Sequence, residues 1–273
     1  HGSNQNLVVS ENSDEGSAFV TTINEETTFD ISSDYLTDPD PFAGTPFTSL
    51  YVNSGFDSTQ DALIWVADAN LSALDALTVT TEDATWQDEQ DDGFFLGLSA
   101  WGDFIAEMTI SSMDALPGHS IGLMVRVPIA DDETAAGPGQ DYVTLGVTGA
   151  ITNISWGSTD DGTSTSGLEF QTDGDFLDQP NGTVESKIHI RIERNGSVLR
   201  NGSVLRNGSV LKFFYRVGED SSWVELEASP LPRADIDTLE LEVGIYQTSE
   251  YQATAVVDDF SIKSQKIYWS GFE

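Results

Sequence analysis

Acidic residues at alternate positions are the first candidates for chemistry in this sequence. Glu225 with Glu227, and Glu240 with Glu242, are each separated by one apolar residue, so on an extended chain each pair faces one way. Two carboxylates about 5 to 9 Å apart across a glycosidic bond can serve as acid and base, or as acid and nucleophile. In a chain with 46 acidic residues such pairs also arise by chance and form a solvated strand face. There is no GxSxG elbow, no P-loop and no dinucleotide fingerprint.

Acids also hold cations. Calcium takes six to eight oxygens from carboxylates, carbonyls and water. In VVDDFSI, Asp258 has the strand parity of Val256, Phe260 and Ile262, which points it inward, and a buried lone carboxylate is costly. A structural calcium at Asp258 and its neighbour Asp259 resolves the conflict. The alternative is a bulge that carries Asp258 to backbone amides. A second acidic loop, TDGDFLDQPNG, offers Asp173, Asp175 and Asp178 without the full EF-hand spacing.

Sugar recognition needs aromatic platforms flanked by hydrogen-bonding side chains. Trp156 borders the polar, Gly-rich stretch NISWGSTDDGTS and is the leading candidate. Trp101 precedes GDF and reads as lying at a sheet edge, and Tyr246 and Tyr251 flank the QTSE turn. Trp86 and Trp223 read as core or hairpin packing. A histidine at position 1, followed by Gly, resembles the copper site of lytic polysaccharide monooxygenases. That site needs a second histidine, and His119 sits in a PGHS turn while His189 lies on the polar face of a strand. The opening HGS reads either as a tag remnant or as the end left after a signal is removed, with no signal peptide visible.

The 273 residues carry 46 acidic against 11 basic side chains, a net charge of −35. Such a surface repels phosphate backbones and anionic membranes, so nucleic acid and membrane insertion are not expected. No run of eighteen apolar residues is present. With no cysteine, disulfides, thiolate zinc sites and cysteine nucleophiles are excluded. The acidity and the Ser/Thr/Asp/Gly-rich loops suit an exported, extracellular or cell-surface protein.

The elements that must position these residues are strands. GDFIAEMTIS puts Phe104, Ala106, Met108 and Ile110 on one face. SIGLMVRV does the same for Ile121, Leu123, Val125 and Val127. KIHIRIER sets Ile188, Ile190 and Ile192 against Lys187, His189, Arg191 and Glu193. YVTLGVTG, LKFFYRVG, SWVELEA, LELEVGIYQT and TAVVDDFSI continue the series. Period-two alternation between Gly, Asp and Asn clusters predicts half-buried antiparallel strands, stacked as two sheets. DALIWVADANLSALDAL, whose helix caps are poor, reads mostly as strand and turn. Residues 1–52 read as an extension lying on the domain, 53–263 as the β-sandwich and 264–273 as a tail. Three tandem RNGSVL copies fill 194–211. Asn-Gly favours two-residue hairpin turns, so this insertion reads as a protruding hairpin or a miniature meander of four-residue strands.

Several segments in order resemble a known type. GDFIAEMTI followed by SIGLMVRV, then IRIERNG…KFFYRVGEDSSWVEL, then VGIYQTSEYQATAVVDDFSI are similar to the strands of bacterial concanavalin A-like/laminin-G-like domains, over roughly 53–262. The resemblance implies an antiparallel jelly-roll β-sandwich, found in exported bacterial proteins beside glycoside hydrolases and often binding carbohydrate. It implies a structural calcium near the closing strand. The hydrolases of this fold carry Glu-X-Asp-X-X-Glu, which is missing here. The expectation is a non-catalytic, polysaccharide-binding module. The alternatives are a surface protein that self-associates by strand addition through its N-terminal extension or repeat hairpin, and a glycoside hydrolase.

Overall fold

The computed structural model describes residues 6–8, 18–27, 47–52, 67–73, 76–81, 86–87, 90–91, 94–128, 141–149, 153–160, 163–171, 177–178, 183–200, 203–233, 236 and 240–269. These form an antiparallel jelly-roll β-sandwich, with no helix among them. The first sheet runs β1 (Asn6–Val8), β2 (Ala18–Thr27), β20 (Ala253–Trp269), β9 (Phe104–Met113), β15 (Thr183–Arg200), β16 (Ser203–Val217) and β17 (Val224–Glu225). Branching from it are β14 (Leu177–Asp178) on β15, β18 (Leu231–Arg233) on β16, and β5 (Ala76–Thr81) on β20 with β4 (Ala67–Ala73) outside it. The second sheet runs β13 (Thr163–Gln171), β12 (Asn153–Asp160), β11 (Tyr142–Thr148), β10 (Ser120–Arg126), β19 (Glu240–Thr248), β8 (Phe94–Trp101) and β3 (Ser49–Val52). A short ribbon pairs β6 (Trp86–Gln87) with β7 (Gln90–Asp91).

Alternation explains the layers. Phe104, Ala106, Met108 and Ile110 on β9, and Ile188, Ile190 and Ile192 on β15, are buried. They join one core with Ile121, Leu123 and Val125 on β10 and Val243 and Ile245 on β19. Each such side chain taken fully from water contributes about 1.5–3 kcal/mol. Among the described residues three arginines are also buried. Arg194, the first residue of the repeat, donates to Gly102 O (3.1 Å) and Ile236 O (3.0 Å). Gly102 itself has φ +65°, the left-handed conformation that the sharp β8–β9 turn requires. Arg233, on the first sheet, reaches Tyr142 O and Ser158 Oγ on the second.

Two expectations change. The N-terminal residues do not merely lie on the domain. β2 pairs with β20 from Thr27↔Phe260 to Ala18↔Trp269, β3 forms the edge of the second sheet, and Phe47 enters the core against Phe260. No break falls at 263/264, because β20 runs on through Trp269 and Ser264 is buried opposite Phe104. Of the hairpin and meander readings of the RNGSVL copies, the structure has the hairpin. The first continues β15, the last continues β16, and Arg200 pairs with Ser203 across a two-residue connection. The ladder absorbs the outer Asn-Gly steps in an irregularity between Asn195 and Ser197.

Candidate binding pocket

The outward positions of β20, β9, β15 and β16 line up in rungs, because directly opposed residues of antiparallel strands point to the same side. One rung is Asp259–Thr109–His189–Arg216, and the next is Ser261–Glu107–Arg191–Phe214. A turn follows β16, with Gly218 at φ +71° and its N–H bonded to Lys187 O (2.7 Å). The turn raises Glu219 and Trp223 beside these rungs. Arg216 Nη1 donates to Glu219 O (3.0 Å), and its Nη2 lies 3.7 Å from Glu219 Oε2. The Trp223 ring packs under two guanidinium groups, with Arg191 Cζ 4.1 Å and Arg216 Cζ 5.1 Å from its centroid.

Between these groups lies a cavity of about 210 Å³. Thr109 and His189 are its buried floor, Glu107, Asp259 and Ser261 form one side, and Glu219 and Trp223 the other. His189 is 5% exposed, with Nδ1 2.9 Å from Thr109 Oγ1. Its Nε2 has no hydrogen-bond partner, Glu219 Oε2 standing off at 3.6 Å. Burial pushes the imidazole below its usual pKa and Arg216 acts in the same direction, against an opposing pull from Glu219. The ring is therefore neutral at pH 7 and offers the cavity a single unfilled hydrogen-bond position. Glu107 is ion-paired with Arg191, which also meets Glu193 at 3.3 Å. Of the basic side chains that are described and not buried, all five lie on this face: Lys187, Arg191, Lys212, Arg216 and Lys263.

The residues singled out by sequence fall elsewhere, with one exception. Trp156 stands opposite Leu145 on the inward face of β12 and packs against the core, so it is a core partner and not a platform. Trp101 ends β8 opposite Glu240, half-buried on the outer face of the second sheet. Tyr246 shares that face but is 4% exposed, its Oη 2.9 Å from Ser120 Oγ and its pKa pushed up to about 12 by burial. Tyr251 is exposed in the turn after β19. Asp258 does not point into the core. The ladder between β20 and β9 is irregular on both sides of Val257, which flips parity, and Asp258 instead meets Lys187 Nζ at 2.8 Å. The exception is Asp259, which lines the cavity. Among the described residues no three His, Asp or Glu side chains are grouped to hold a metal ion. His1, Asp173 and Asp175 lie outside the described residues, as does the side chain of Asp178 on β14.

The paired glutamates are also placed. β17 ends at Glu225, whose carboxylate meets Lys212 Nζ at 3.3 Å, and Glu227 is exposed beyond buried Leu226. Glu240 and Glu242 do share a face, that of the second sheet, where Glu242 lies 4.0 Å from the buried Arg126. His119 is fully buried and its Nδ1 donates to Asp114 O (2.8 Å). Sequence reading missed Trp223, Glu107, Arg216 and Glu219 as site residues. The signal was present in KIHIRIER and LKFFYRVG, whose polar faces carry His189 and Arg216, but not which strands are neighbours.

No protein-family model matches the chain, and no curated protein matches it. Among solved structures it is similar to LamA from Zobellia galactanivorans in complex with laminaritriose and laminaritetraose, at 11% identity and TM-score 0.48 over 88% of this chain and 97% of that one. It is also similar to a functionally unknown protein from Saccharomyces cerevisiae, at 16% identity and TM-score 0.42 over 72% and 89%. A third is a GH43 protein from Bacillus licheniformis, at 12% identity and TM-score 0.44 over 72% of this chain; the chain spans 34% of that protein's length. At such identities and scores no site passes from those proteins to this one.

Proposed function

We propose that this chain is a non-catalytic, carbohydrate-binding β-sandwich of the concanavalin A-like/laminin-G-like type, exported from the cell, with its ligand held in the cavity over β9, β15 and β16. The observation that carries this reading is the buried, unpartnered Nε2 of His189, a residue that lines a cavity walled by Trp223 and carboxylates. A sugar ring has an apolar C–H face that suits an indole, and hydroxyls that suit imidazole and carboxylate partners. Both cavity glutamates sit against arginines, an arrangement that suits hydrogen-bond acceptance from hydroxyls. A glycan array followed by calorimetry tests the proposal. At least one glycan binds the parent chain, Trp223→Ala loses that binding, and Tyr251→Ala keeps it. Release of reducing ends from the bound glycan would favour a glycoside hydrolase instead.

A second reading, self-association by strand addition, draws on one observation. The pairing of β9 with β15 stops at Phe104↔Arg194, while β15 and β16 continue together to Arg200↔Ser203. That end of the hairpin extends past β9, and an uncovered ladder can template pairing with a second copy. Concentration-dependent polymers by size-exclusion, lost when two RNGSVL units are deleted, would support it.

A further inference from the structure

The shape and charge of the same cavity narrow its ligand, and this inference rests on the carbohydrate-binding reading. A cavity of about 150 Å³ holds benzene, and drug-sized ligands occupy about 300 Å³ or more. At about 210 Å³ this one falls between them, which suits one substituted six-membered ring. The rungs close its floor at Thr109 and His189, and Trp223 with Glu219 stands on one side. Charge then discriminates among rings. Three carboxylates, Glu107, Glu219 and Asp259, line the cavity with one guanidinium, Arg216, while Arg191 is shared between Glu107 and Glu193, so the lining around a neutral His189 is acidic. An anionic ring brings a like charge into that field, whereas a neutral ring brings only hydroxyls.

We infer that the cavity takes a single neutral pyranose residue, with one ring hydroxyl bonded to His189 Nε2. Trp223, held by Arg191 and Arg216, borders the ring, and Glu219 receives a second hydroxyl. Uronate residues are disfavoured by the acidic lining.

Calorimetry on the full chain tests this with neutral methyl pyranosides, their neutral oligomers of increasing length, and the matching uronate. The affinity of the preferred methyl pyranoside stays within about threefold of its oligomers, since one subsite supplies the binding energy. The uronate binds at least about tenfold more weakly. Glu219→Ala, on an exposed loop, lowers pyranoside affinity about tenfold, and His189→Gln changes which epimer is preferred. Affinity that climbs steadily with chain length, or a uronate bound as tightly as the neutral ring, overturns the single-residue inference while leaving carbohydrate binding intact. If no neutral sugar of any length binds, the function proposal itself falls.

Discussion

The two outward faces of this sandwich follow the same alternation and are built in opposite ways. On the first sheet the outward rungs are charged, half-exposed and ion-paired, as in Lys187–Asp258 and Lys212–Glu225, and they leave a cavity. On the second sheet Phe95, Met124, Tyr142 and Tyr246 are buried together, with Arg126 fully buried 5.6 Å from the Phe95 ring. Directly opposed glycines, Gly122 with Gly146 and Gly244 with Gly97, make room there. A Cβ on Gly146 would collide with Tyr246 Oη and come within 2.7 Å of Ile121 O. Outward parity therefore does not mean a wet face. Charge that is shared among neighbours at the surface leaves a site open on the first sheet, whereas on the second the outward aromatic side chains are packed away over a glycine floor.

The difference is broken most severely at Arg126. Arg126→Ala removes a buried positive charge 4.0 Å from buried Glu242 and is expected to cost about 3–5 kcal/mol, read as a lower urea midpoint. Arg216→Ala, the matching arginine of the open face, costs about 1 kcal/mol or less because its partner Glu219 is exposed. Equal losses at the two positions would erase the distinction. Gly244→Ala comes next. Its Cβ would collide with Leu96 O and lie 2.5 Å from Gly97 Cα, so a loss of about 1–3 kcal/mol is expected, with sugar affinity unchanged because the cavity is on the other sheet.

A pH titration sharpens the contrast further. Burial lowers the pKa of His119 and, with Arg216, of His189. Below the unfolded value near 6.5 the unfolded chain binds protons that the folded chain does not, so stability falls with pH from there down through the folded values. Each histidine contributes a slope of at most about 1.4 kcal/mol per pH unit in that window. His119→Gln and His189→Gln should each flatten the curve relative to the parent. The smallest effect is at Asp258. Its partner Lys187 is half-exposed, so Asp258→Ala costs under about 1 kcal/mol. The variant should respond to added calcium, or to chelator, as the parent does.

Much of the fold is legible in the sequence because period two alone decides it. The alternation in GDFIAEMTIS and KIHIRIER marks the inward rows of β9 and β15 residue by residue. The pocket is not legible, because it is made between strands. His189 and Thr109 are 80 positions apart and meet only through the β9–β15 register. Parity also misled where the ladder is irregular. The steps on either side of Val257 turned Asp258 outward to Lys187. Trp156 was misjudged for a different reason: a polar, Gly-rich neighbourhood describes its loop, whereas its register with Leu145 places the indole on the core side.

The most direct test of the account is a crystal structure of the chain soaked with the tightest-binding neutral pyranoside. The ring is predicted to lie between Trp223 and Asp259, with a hydroxyl within hydrogen-bond distance of His189 Nε2. A ring bound instead on the second sheet beside Trp101, or at the exposed Tyr251, would contradict it.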